Sequence, residues 1–95
     1  MKEVTDSKIE RYFDVTGRAL AKVRINKFVE FDAEKVALDF LEMAKNYYSD
    51  AKFFREKEDY VNCLAALSYA HAWLDAGARI GVFDVDHDSE LFTVD

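Results

Sequence analysis

From Val61 to Ile80 the chain reads VNCLAALSYAHAWLDAGARI, and only Asp75 and Arg79 in that run carry a formal charge. A helix apolar on nearly every side is stable in water only when most of those sides are covered. The run also contains the single Trp and the single Cys, Trp73 and Cys63. The chain has no Pro and three Gly, which suits long uninterrupted helices and disfavours a turn-rich β fold. A helix is therefore predicted over about 59–81, with Asp59 as its N-cap and Gly81 as the stop at C′.

Two further helices follow from periodicity. The first is predicted over about 5–27: Ile9, Phe13, Thr16, Leu20 and Val23 recur at spacings of three and four. Either Ser7 with Glu10 forms a capping box, or Thr5 is the N-cap with Val4 stapled onto Ile9. Gly17 in mid-helix costs about 1 kcal/mol against Ala, and a close helix crossing there would explain it. The second helix is predicted over about 32–57 behind Asp32 as N-cap, with Phe31 stapled onto Val36. Its inner stripe is Val36, Phe40, Met43, Tyr47, Ala51 and Phe54, widened by Ala37, Ala44 and Tyr48; Asp39, Glu42, Asn46, Ser49, Lys52 and Glu56 lie opposite. The turn at Glu58 is so short that the second and third helices must be antiparallel neighbours.

Ninety-five residues make one domain with a modest core, to which fourteen aromatics contribute. The expected fold is all-α: a three-helix up-down bundle over 1–83, followed by a short, acidic, extended C-terminal tail over 84–95. Two neighbours leave one side of the third helix open, so either the tail or a second subunit covers it. Gly77 and Gly81, with Ala70 and Ala78, permit close approach on that side, and Asp75 with Arg79 stands at the i, i+4 spacing of an ion pair. The G-x-x-x-G spacing marks a membrane dimer only within an apolar 20-mer, which this is not. Leu91, Phe92 and Val94 are the apolar residues by which the tail would lie over the bundle.

The formal charge of −6 is unevenly placed: residues 84–95 hold Asp84, Asp86, Asp88, Glu90 and Asp95 with no Lys or Arg. A chain of this balance is repelled by phosphate backbones, so general nucleic-acid binding is disfavoured. One basic stretch interrupts it, Arg18, Lys22, Arg24 and Lys27, with no acid between Asp14 and Glu30. The favoured reading is a solvated helix end whose bases complement the dipole. The others are a docking patch for an acidic partner or RNA, and a resting place for the acidic tail. A lone Cys forms no internal disulfide and suits a reducing interior. The start MKEVTDSKIERYF is too polar for a signal peptide, and Cys63–Leu74 is too short to span a bilayer, which takes about 20 residues. A cytoplasmic protein without membrane attachment is expected.

The runs NYYSDAKFF (46–54), DYV (59–61) and SYAHAWLDAGARIG (68–81) resemble a family of small archaeal proteins of unknown function, over residues 36–83 and more weakly at LFTV (91–94). The resemblance implies a three-helix bundle of archaeal origin with no assigned activity. Members often carry Gly at the turn between the second and third helices. This chain has Glu58, so a left-handed cap is not expected there and the second helix would run on further. More distantly, the tyrosine-rich helix, acidic-Tyr turn and Ala-rich helix are similar to helical domains that accompany minimal nucleotidyltransferases, some of them RNases or toxins. Their Arg followed four to six residues later by His has no counterpart at His71 or His87.

Candidate chemistry is thin. Ser68, His71 and Asp75 share one helix face, but mid-helix Ser usually bonds its own i−4 carbonyl, and nothing nearby supplies an oxyanion hole. Cys63 has no electropositive neighbour within a turn and reads as a small hydrophobe. Asp84, Asp86, Asp88 and Asp95 fall at calcium-loop spacings, yet Ser89 replaces the turn Gly, the last ligand is not Glu and no exiting helix follows. His71 and Asp75 make only two metal ligands. No cofactor motif is present. Tyr47, Tyr48, Tyr69 and Trp73 read as the core between the second and third helices with hydroxyls reaching the surface, or as an aromatic groove for a ligand or peptide. The sequence thus points to a non-enzymatic interaction module that forms a homodimer, or binds a protein partner, through the third helix. The rival is a nucleotide- or RNA-binding domain that uses the basic stretch and the Tyr/Trp cluster.

Overall fold

The computed structural model describes residues 4–93, so Val94 and Asp95 of the tail lie outside the described residues. It contains three helices, α1 (Asp6–Lys22), α2 (Ala33–Glu56) and α3 (Tyr60–Ile80), and no strand among the described residues. The all-α, three-helix expectation holds, and the packing is between α2 and α3.

Side-chain carboxylates and a hydroxyl start the helices. Thr5 Oγ1 accepts from Lys8 N–H at 3.2 Å, which makes Thr5 the N-cap of α1. Asp32 accepts from Lys35 N–H at 3.1 Å for α2, and Asp59 from Asn62 N–H at 3.2 Å for α3. Each satisfies one of the four amide donors that a helix start leaves unpaired. Gly81 ends α3 in the left-handed conformation (φ 85°), with Val82 N–H returning to Gly77 C=O at 3.0 Å.

Three features differ from expectation. α1 ends at Lys22 rather than near 27, because Val23 turns extended (φ −60°, ψ 135°). Beyond it the Asn26 side chain accepts from Phe28 N–H at 3.1 Å, a local bond that competes with helix. At the α2–α3 turn Glu58 does adopt the left-handed conformation (φ 57°), and Asp59 N–H returns to Phe54 C=O at 2.9 Å, so α2 stops at Glu56. The tail is not extended: Asp86 and His87 both have positive φ (54° and 56°) beneath an Asp88 N–H to Val85 C=O bond of 3.1 Å. That is the geometry of a type I′ turn, which short acidic side chains tolerate. Asp88 then caps a second turn by accepting from Glu90 and Leu91 N–H at 3.0 and 3.1 Å.

The α2–α3 hairpin closes on small residues. Ala44 and Ala51 of α2 and Ala66, Ala70 and Gly77 of α3 are all buried. Small side chains let two backbones approach closely; larger ones flank the seam and stay partly exposed. Val36, Ala37, Phe40, Met43, Tyr47 and Phe54, all expected on the inner stripe, are half-buried beside it. On one flank Phe40 meets Trp73 edge to face (5.0 Å, 69°), and Tyr47 stacks on Tyr69 (5.2 Å, 26°).

α1 packs against neither helix and buries no residue. No close crossing exists at Gly17, where a Cβ would meet open space. The radius of gyration, 16.0 Å, exceeds the roughly 12 Å of a compact chain of this length. The apolar stripe of α1 faces solvent: Phe13 is 77% and Leu20 74% exposed.

Candidate functional site

Two concave features flank α3, and the tail builds one of them. Thr93 N–H donates to Asp75 Oδ1 at 3.0 Å, Thr93 Oγ1 lies 3.4 Å from Asp75 Oδ2, and Phe92 stacks on His71 at 6.2 Å. Upstream, the Phe83 ring lies on Gly77, where a Cβ would collide with it. Together these contacts lay the tail along the C-terminal half of α3 and enclose a depression of about 270 Å³ lined by His71, Asp75, Ser89, Glu90, Leu91, Phe92 and Thr93. The expected Asp75–Arg79 pair is not formed: Asp75 turns to Thr93 and to His71 Nε2 at 3.6 Å, and Arg79 makes no ion pair among the described residues.

This depression is lined by hydrogen-bonding groups from α3 and the tail. Ser68 forms no hydrogen bond with His71 among the described residues. Of the calcium-like acids, Asp84 accepts from Asp86 N–H at 3.1 Å and Asp88 caps its turn, so these carboxylates serve the local backbone. Asp95, the twelfth position of that pattern, lies outside the described residues. Among the described residues no group of three or more His, Cys, Asp or Glu side chains converges to hold a metal.

The second feature is a groove on the other flank of the Ala seam. Leu41, Ala44, Lys45, Tyr48, Ser49 and Lys52 of α2, with Ala70 and Leu74 of α3, line a space of about 400 Å³. It continues past Tyr48 and Lys52 into a depression of about 220 Å³ between Ala51, Arg55, Cys63 and Leu67. The floor is apolar and the α2 rim is basic. Lys52, read from sequence as lying opposite the inner stripe, instead leans over the Tyr48 ring with Nζ 4.9 Å from its centroid.

The expected aromatic set is thus divided by the seam: Tyr47, Tyr69 and Trp73 lie on the packed flank, whereas Tyr48, 53% exposed, lines the groove. Gly81 acts as a helix stop and Gly77 as a seat for Phe83. The basic stretch is shared between helix and connection: Arg18 pairs with Asp14 at 2.9 Å and Lys22 is in the last turn of α1, while Arg24 and Lys27 lie beyond the helix. The described part of the tail is anchored on α3, away from that stretch. Lys45, Lys52, Arg55 and Leu41 were missed in sequence. The available signal was their recurrence with Tyr48 at spacings of three and four along one α2 row, beside the inner stripe.

No helix among the described residues is long and apolar enough to cross a membrane. Comparison with curated proteins and with solved structures returns no match. Residues 11–83 match a family described as protein of unknown function (DUF357), a stretch that takes in most of α1 and the whole α2–α3 hairpin. The chain therefore belongs to the DUF357 family.

Proposed function

We propose that this protein is a non-enzymatic interaction module that self-associates through the side of α3 its own tail leaves uncovered. One observation carries the reading: the hairpin buries only small residues, while an amphipathic helix and an apolar groove stand open on the same chain. Soluble monomers rarely expose contiguous apolar surface beyond a few hundred Å². The tail occupies the His71–Asp75 side, and the Cys63–Leu67–Leu74 edge, which lines the open groove, is the one offered to a partner. Light scattering of the purified chain tests this: a mass near twice 11.0 kDa is expected, falling toward 11.0 kDa in Leu67→Glu. A monomeric wild-type chain would refute self-association.

The rival reading, nucleotide or RNA binding, draws support from Tyr48 beneath Lys52 with Lys45 and Arg55 nearby, since aromatic faces beside bases suit single strands. It needs a salt-sensitive affinity that drops on Lys45→Glu and Lys52→Glu. Absence of binding at low salt disposes of it.

A further inference from the structure

The molecule has an unfilled apolar groove and an unpacked amphipathic helix, and their charge patterns match. On α1 the exposed stripe through Ile9, Phe13 and Leu20 is flanked on one side only by Asp6, Glu10 and Asp14, a row at i, i+4, i+8. Its bases, Lys8, Arg11, Arg18 and Lys22, fall on the opposite flank and the back. On α2 the groove rim is Lys45, Lys52 and Arg55, and the α3 wall, through Cys63, Leu67 and Leu74, carries no charge. At 1.5 Å per residue the acidic row spans about 12 Å and the basic row about 15 Å.

Helix handedness fixes the direction. With the stripe of α1 turned into the groove, the acidic row faces the α2 bases only when α1 runs antiparallel to α2. Run parallel, the acids would face the uncharged α3 wall. The groove therefore selects one orientation of this helix.

We infer that the groove between α2 and α3 receives α1 of a second copy of the chain, antiparallel to α2, in a reciprocal exchange that forms a two-fold dimer. The inference rests on the self-association reading and names its partner segment. A second copy is favoured over the chain's own helix because of the connection between α1 and α2. Its end residues are extended (Val23 ψ 135°, Asp32 ψ 104°), and with this connection α1 makes no contact with the hairpin. Filling the groove from the same chain needs that connection to refold; filling it from another copy leaves it as it is. Exchange of identical elements is a low-cost route to closed dimers. Asp14 would trade its exposed pair with Arg18, a weak contact because both side chains are largely solvated.

Two full-length variants test this together. One carries Asp6→Lys, Glu10→Lys and Asp14→Lys; the other carries Lys45→Glu, Lys52→Glu and Arg55→Glu. Each alone opposes like charges at the groove and should lose at least tenfold in dimer affinity by native mass spectrometry and light scattering. Mixed, the two restore both contacts, and a heterodimer should form preferentially. Circular dichroism confirms that each variant retains its helices. A wild-type dimer that persists in both variants, with no preference on mixing, would overturn the α1 exchange and leave self-association standing. A monomeric wild-type chain with α1 amides protected from hydrogen exchange would mean the helix docks within its own chain, and would overturn both readings.

Discussion

Glu58 is the residue at which local chemistry and tertiary need conflict most openly. A side chain in the left-handed region (φ 57°) costs roughly 1 kcal/mol or more relative to glycine. The turn accepts that cost because Asp59 must cap α3 within three residues of the end of α2. Glu58→Gly is expected to stabilise the hairpin by about 1 kcal/mol, read as a rise in the urea midpoint; no gain would mean that Glu58 has a compensating contact. Gly77 is the converse case, a position where the missing side chain is occupied by another residue's ring. Gly77→Leu should expel Phe83 and loosen the tail. The Thr93 amide, bonded to Asp75, would then lose its protection from hydrogen exchange, as it would in Asp75→Ala. Protection unchanged in both variants would place the tail anchor elsewhere.

At the scale of elements, what could be read in sequence follows from which interactions are local. Asp32, Asp59 and Gly81 were legible because capping is decided within four residues, and Thr5 was one of two starts that the sequence offered for α1. Asp59→Ala should cost 0.5–2 kcal/mol, about what such N-caps contribute elsewhere, seen as a lower thermal midpoint; an unchanged midpoint would remove the cap from the account. The inner stripe of α2 was legible too, since its period belongs to the helix. The groove was not. Lys45, Lys52 and Arg55 look like solvated charges until α3 is placed beside them. The His71–Phe92 and Asp75–Thr93 contacts join residues 18 or more positions apart, beyond the reach of any periodicity. Gly17 was misread for the same reason: the cost of a glycine is visible in sequence, but the presence of a crossing helix is not. Alone, a helix of 17 residues in water is marginal. In the monomeric Leu67→Glu chain, where α1 has no partner groove, Gly17→Ala should therefore raise α1 helicity, with a gain of about 1 kcal/mol in helix propensity. An unchanged far-ultraviolet circular dichroism signal would show α1 to be already held.

At the scale of the whole molecule, the hairpin seam is thin and the chain compensates in two directions. Its tail folds back over the His71–Asp75 side of α3, answering half of the question raised by a helix apolar on nearly every side. The Leu67–Leu74 side remains open, and α1 offers the matching apolar stripe and acidic row. If two copies exchange that helix, both exposed surfaces are buried at once, and assembly should weaken with salt because the charge rows are screened. The most direct measurement is the native mass of the wild-type chain at micromolar concentration and low salt. A dimer at twice 11.0 kDa, shifting toward monomer as salt rises, is the expected result; a monomer at every concentration would contradict the account.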